Sequence, residues 1–347
     1  MRVRLLSVAV LATVAGLAVP AGAATADEPP GTAAHVTGVG LHNTYSPDAF
    51  DHLAEALDTG TSMIELDAWD DVVTTEWKVS HSTPLGNDNN CVAASTPADL
   101  YTGGTNKDLG DCLDDVRVWL SAHPDHPLLT VKLELKAGFD ARAGLGPAEL
   151  DDTIRAHLGA AAYTPAQLLA TPGGGSYASL DDAARADNWP TGAAGAGKAL
   201  VELIPGTAEQ GNPTDTLWTD VEYARHLRDL AADGTIGAAQ AFPAVLGAAA
   251  GDPRTRYDDG TIRPWFVLFD GDAATYLDGI DTAWYDEHHY LLVMTDAQNV
   301  PPALDGTHPD PGQAADRVAR LAAAHASIAS CDWTGLPDVL ASRLPRG

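Results

Sequence analysis

Residues 63–69 read MIELDAW, an apolar run broken by two acids. In an extended strand Glu65 and Asp67, two apart, stand on the same side. Met63, Ile64, Leu66 and Trp69 around them call for burial, so the acids belong to a strand packed inside a larger sheet. Seven further short β-rich runs provide neighbours: HVTGVGL (35–41), WKVSHS (77–82), LLTVKLELK (128–136), KALVELIP (198–205), AAQAFPAV (238–245), PWFVLFD (264–270) and LLVMTDA (291–297). Between many of them lie segments whose apolar residues recur at three and four: 47–60, 113–124, 147–161 and 218–234, with 311–326 after the last. Strands alternating with helices over some three hundred residues predict an α/β fold, an irregular TIM (β/α)8 barrel forming a single domain. The irregularity is expected at 77–82, which follows the preceding strand too closely for a helix.

A length of 347 residues suits one such barrel. Residues 1–26 pair a basic start, Arg2 and Arg4, with an apolar run of about 15 residues and small residues suited to cleavage after Ala23 or Ala26, which reads as a secretory signal peptide. Residues 27–347 are then the mature catalytic domain, expected to be secreted, extracellular and monomeric, with no transmembrane segment. Lys and Arg number 20 against 48 Asp and Glu, a net charge of −28, and loss of the leader makes it more negative. That charge argues against nucleic acid and against simple adsorption to anionic membranes, since both attractions need a positive surface. Cys91 and Cys112 would close a short disulfide loop in an exported chain, whereas Cys331 lies far away. Gly192–Lys198 has the spacing of a phosphate-binding loop, but Ala199 stands where a Ser or Thr should follow, and a strand follows instead of a helix.

The active face of a barrel lies at the C-terminal ends of its strands. The first run ends in His42 and Asn43, the second carries Glu65 and Asp67, the third ends in His81, and the fourth carries Glu134 flanked by Lys132 and Lys136 on the same parity. Three carboxylates converging inside a barrel need a cation or protons. A hard divalent ion such as Ca²⁺ satisfies carboxylates, an Asn carbonyl and water, and two imidazoles beside it suit acid–base work near neutral pH. Lys132 or Lys136 could touch a phosphate, or pair with a neighbouring acid. Asp270 and Asp296 end later strands, where they could meet substrate hydroxyls. His288 and His289 precede a strand and so belong near the opposite face, in a structural role.

HNTY, IELDAWD, VSHS and VKLELK resemble the barrel motifs of phosphoinositide-specific phospholipase C, in its calcium-dependent secreted bacterial branch, and NPTDTLWTD, RPWFVLFDGD and HHYLLVMTDAQNV extend the likeness over most of the mature chain. The resemblance implies calcium held by Asn43, Glu65, Asp67 and Glu134, with His42 and His81 as the catalytic histidines. It implies cleavage of phosphatidylinositol at a membrane surface into diacylglycerol and a cyclic inositol phosphate. Two other readings stand beside it: a glycerophosphodiester phosphodiesterase, which typically has Arg where this chain has Asn43, and a non-catalytic secreted barrel that binds lipid or sugar.

Overall fold

The computed structural model describes residues 31–347, so the leader expected at 1–26 lies outside them. Eleven strands are present among those residues: β1 Val36–Leu41, β2 Met63–Asp71, β3 Glu76–Val79, β4 Leu129–Leu135, β5 Ala162–Tyr163, β6 Ala199–Pro205, β7 Ala241–Leu246, β8 Leu268–Asp272, β9 Leu291–Thr295, β10 Ile328–Cys331 and β11 Leu344–Pro345. Eight of these, β1, β2, β4 and β6 to β10, form a parallel ring that the pairing of β1 with both β2 and β10 closes, while the short β5 adds in parallel to β6. The fold is a TIM-like barrel. Its strand count agrees with the sequence-based expectation, but its membership does not.

Residues 77–82 are not a barrel strand. β3 runs antiparallel to β2, with Ala68 opposite Val79 and Asp71 opposite Glu76, so β2 and β3 form a hairpin that rises above the barrel mouth and returns. The eighth position is filled by β10, which sequence reading passed over. It was hidden because IASC is only four residues long and follows the helix Pro311–Ala323 without the flanking signals that marked the other runs.

The pleat divides each strand between two environments. Ile64, Leu66 and Ala68 of β2 join the main apolar core under the helices, whereas Met63 packs with Val293 and Ile328 in a separate cluster. Glu65 and Asp67, which share the side of Met63, therefore face the barrel axis above that apolar plug. Helices Leu109–Ala122, Pro147–His157 and Thr219–Ala232 cover the outside, and contribute Leu113, Val116, Ile154, Tyr223 and Leu227 to the core. Cys91 and Cys112 are joined by a disulfide with an S–S distance of 2.01 Å, and Cys331 is a buried free thiol.

Glycines in β1 make the close approach at the barrel floor possible. A Cβ on Gly38 would lie 1.8 Å from Ser62 Oγ and 2.5 Å from Ser62 Cβ, and one on Gly40 would meet Ile328 and Met63 at 2.9 Å. Gly38→Ala should therefore destabilise the protein by about 1–3 kcal/mol in urea unfolding. Adding Ser62→Gly, which removes the atoms in the way, should recover most of that loss; equal unfolding midpoints for the single and double variants would show that the close approach is not the cause.

Candidate active site

At the mouth, β2 and β4 lie in register, Glu65 opposite Lys132 and Asp67 opposite Glu134. In-register residues on parallel neighbours point the same way, so three carboxylates and a lysine from alternate positions meet at the axis. Lys132 continues the row to Glu202 on β6. Its ammonium lies 2.9 Å from Asp270 Oδ2 and 3.4 Å from Glu65 Oε1, all three groups buried. One turn higher, Lys136 Nζ reaches Asp67 Oδ2 at 2.6 Å and Glu134 Oε1 at 2.9 Å. Both lysines, considered from sequence as phosphate contacts or as ion-pair partners, are thus committed to carboxylates.

The acids differ in their electrostatics. Burial pushes Glu65 up, but Lys132 and His42 outweigh it and hold its carboxyl below the ordinary value. Asp67 goes the other way: burial first, then the charges of Glu65 and Glu134, raise it to about 7 against the pull of Lys136. Glu202, with neither oxygen hydrogen-bonded and no solvent exposure, is pushed well up by burial and by Asp270. Raised acids packed among lysines show an excess of negative charge that the protein alone does not neutralise.

His42 follows β1 directly. Its Nδ1 donates to Asp332 Oδ1 at 2.8 Å, and its Nε2 lies 3.4 Å from Glu65 Oε2. Desolvation alone would lower this histidine; the hydrogen bond to Asp332 and the charge of Glu65 reverse that and raise it to about 9. Asp332 in turn accepts from Gln298 Nε2 at 3.0 Å through its other oxygen. Asp332 was missed from sequence because it follows β10; counted onto that strand, it shares the inward parity of Ile328 and Ser330. Asn43 takes a left-handed backbone, φ 51°, which turns its N–H onto Glu65 Oε2 at 3.2 Å. Tyr45 was also missed: its hydroxyl donates to Asp67 Oδ2 at 2.7 Å and lies 3.0 Å from Asn43 Oδ1, so it sits between the two. His81 stands apart from this network, exposed at the start of the loop after β3 and without a hydrogen bond or ion pair among the described residues.

Glu65, Asp67 and Glu134 each offer an oxygen within 4.8 Å of the others. Asp67 Oδ1 is buried and has no hydrogen-bond partner, and the Asn43 carbonyl oxygen lies one hydroxyl away. An all-oxygen set with an unmet buried acceptor fits a hard divalent cation. Beside it opens a cavity of about 220 Å³ whose lining includes His42, Glu65, Lys132, Asp270, Asp296 and Gln298.

No protein-family model matches the chain, and no curated protein sequence does. Among solved structures, it is similar to a Ca²⁺-dependent phosphatidylinositol-specific phospholipase C from Streptomyces antibioticus, at 54% identity and TM-score 0.88 over 91% of this chain and 99% of that one. It also resembles in fold a calcium-dependent phosphoinositol-specific phospholipase C from Pseudomonas sp, at 20% identity and TM-score 0.66 over 91% and 96% of the two chains.

Asp332→Asn removes the acceptor that favours the His42 imidazolium and leaves burial to act against it. In the metal-free protein the His42 pKa should fall from about 9 toward the ordinary histidine range, read by NMR titration of its ring protons. An unchanged titration would mean that Glu65 alone holds the charge.

Proposed function

Because the chain belongs to the calcium-dependent phosphatidylinositol-specific phospholipases C, we propose that it cleaves phosphatidylinositol outside the cell, releasing diacylglycerol and a cyclic inositol phosphate that water can then open. The observation that supports this reading is the convergence of Glu65, Asp67 and Glu134 beside a histidine held by a carboxylate. Asn43 in place of the arginine typical of the glycerophosphodiester phosphodiesterases weighs against that alternative.

In the reaction a ring hydroxyl attacks phosphorus, one P–O bond forming as the P–O bond to glycerol breaks. One proton must leave the hydroxyl and one must reach the glycerol oxygen. Glu65, kept ionised between Lys132 and His42, is placed to receive the first. His81, exposed and unengaged, is assigned delivery of the second on the open side of the mouth, where the diacylglycerol departs. His42, protonated and oriented by Asp332, donates toward the phosphoryl oxygens, where charge builds as the new bond forms. Asn43, Glu65, Asp67 and Glu134 would hold Ca²⁺, whose charge, when bound, makes the ring hydroxyl more acidic and offsets the growing charge on phosphorus.

Ring recognition falls to neutral and acidic groups. Of the cavity's lining, only Lys132 is a fixed cation, and its ammonium already faces Asp270 and Glu65. That arrangement disfavours extra ring phosphates and suits the unphosphorylated headgroup, with Asp270, Asp296 and Gln298 available to ring hydroxyls.

The protein must reach its lipid from water, and among the described residues no helix is long and apolar enough to cross a membrane. Of the five large apolar side chains exposed among the described residues, the three most exposed lie on loops beside the mouth: Val72 and Val73 at the tip of the β2–β3 hairpin, 54% and 87% exposed, and Leu85 in the next loop, 94% exposed. Such residues can enter the lipid surface without help from charge, which a strongly acidic protein lacks.

Purified protein should release diacylglycerol and inositol phosphate from phosphatidylinositol vesicles with Ca²⁺ and not with chelator, and should leave phosphatidylcholine intact. Glu65→Gln and Asp67→Asn should each lower kcat on the order of 10²-fold or more. Absence of calcium-dependent release would sink the proposal, and release of glycerol phosphate from deacylated lipid would favour the phosphodiesterase. Val73→Asp combined with Leu85→Asp should reduce turnover on vesicles about tenfold or more while sparing hydrolysis of water-soluble cyclic inositol phosphate. Equal losses on both substrates would move the effect from docking to the active site.

A further inference from the structure

At the base of the barrel, opposite the mouth, His35, Asp187 and His289 each bring one ligand atom within 4.8 Å of the others. His35 immediately precedes β1, His289 lies just before β9, and Asp187 follows the helix Leu180–Arg185. We propose that these three side chains form a zinc site, completed by water, that clamps the segment before β1 to the floor of the barrel. The site is separate from the calcium-dependent chemistry and does not rest on it.

Three observations set it apart from an ordinary polar cluster. First, the donors are unevenly satisfied. His35 Nε2 donates to Asp187 Oδ2 at 3.0 Å, but the His289 ring makes no hydrogen bond among the described residues, and its Nδ1 is buried. Whichever tautomer His289 adopts, one nitrogen keeps a free lone pair, the form in which imidazole binds metal. Second, Asp187 and His289 both occupy the left-handed backbone region, at φ 53° and 55°. Such conformations are uncommon for residues with a side chain, and two of the three donors depend on one.

Third, the surroundings hold the donors in place before any ion arrives. Thr32 Oγ1 donates to Asp187 Oδ1, and Trp189 Nε1 donates to the carbonyl of His289 at 2.6 Å. Ala33 N–H bonds to the Pro190 carbonyl at 2.9 Å. Arg346 Nη1 donates to the carbonyls of Ala34 and Tyr290, the neighbours of the two histidines, at 2.9 and 2.8 Å. This is the supporting layer that orients ligands in metal sites.

Chemistry selects the ion. Two imidazoles and a carboxylate suit a borderline transition ion and not Ca²⁺, which the all-oxygen set at the mouth prefers. Zinc bonds of about 2.0–2.2 Å in a tetrahedron place ligand atoms roughly 3.3 Å apart, so the His35–Asp187 edge needs only a small widening. The three donors come from segments far apart in sequence, so an ion there cross-links the start of the barrel to two distant loops.

The test titrates the full mature chain with Zn²⁺ while excess Ca²⁺ keeps the mouth occupied. Calorimetry should show one Zn²⁺ per chain, with the unfolding temperature raised by a few degrees. Co²⁺ in its place should give the intense visible absorption of a tetrahedral site. His289→Gln and Asp187→Asn should each weaken Zn²⁺ binding at least tenfold and abolish the Co²⁺ spectrum, with circular dichroism and calcium-dependent turnover unchanged. Zinc uptake that persists undiminished in both variants, or that is absent from the unaltered chain, overturns the proposal.

Discussion

Placing charge inside a closed barrel is the constraint on which this structure turns. Glu65, Lys132, Glu202 and Asp270 are all buried, and isolated charges there would be unfavourable by several kcal/mol each. The barrel meets the demand by register. Because β2, β4 and β6 pair in parallel with Glu65, Lys132 and Glu202 in one row, each acid has a lysine beside it. Pairing is incomplete, however, and the remainder appears as raised Asp67 and Glu202 and as an orphaned Asp67 oxygen. That residue of unmet negative charge is what gives the mouth its affinity for a cation.

The same pleat sorts the barrel axis from floor to mouth. Met63, Val293 and Ile328 fill the floor with apolar volume, and the glycines of β1 leave them room. The buried ion pairs lie above, and His42 and Glu134 line the cavity. An apolar layer under a polar mouth lowers the local dielectric and so strengthens the electrostatics of the charges that sit on it. Outside the floor, a second polar group gathers around His35 and His289, of a different donor character because it is built from imidazoles.

Much of the site could be read from spacing. Glu65 and Asp67 announced themselves as two acids on one side of an apolar strand, and HNTY as a polar pair at a strand end. What spacing could not tell was which strands are neighbours. An antiparallel return and a barrel strand have the same period of two, so 77–82 passed for a member of the ring, and the four residues of β10 passed for none. The cost was Asp332, the partner of His42, whose significance depends wholly on β10 lying beside β1. Tyr45 was equally silent, since its hydroxyl meets Asp67 only through the turn that Asn43 makes.

Sequence by itself determined the fold class, the strand that carries the acids, the residues available to bind a cation and the strong net negative charge. These follow from local periodicity and from side-chain chemistry, which do not need to know a partner. Tertiary structure alone decided that Lys132 and Lys136 neutralise carboxylates, that Asp332 charges His42, and that His35, Asp187 and His289 meet at the base. Each of those depends on pairing across hundreds of residues, and a hydrogen bond or a ligand cluster is set by distance in space, which the order of residues along the chain does not contain.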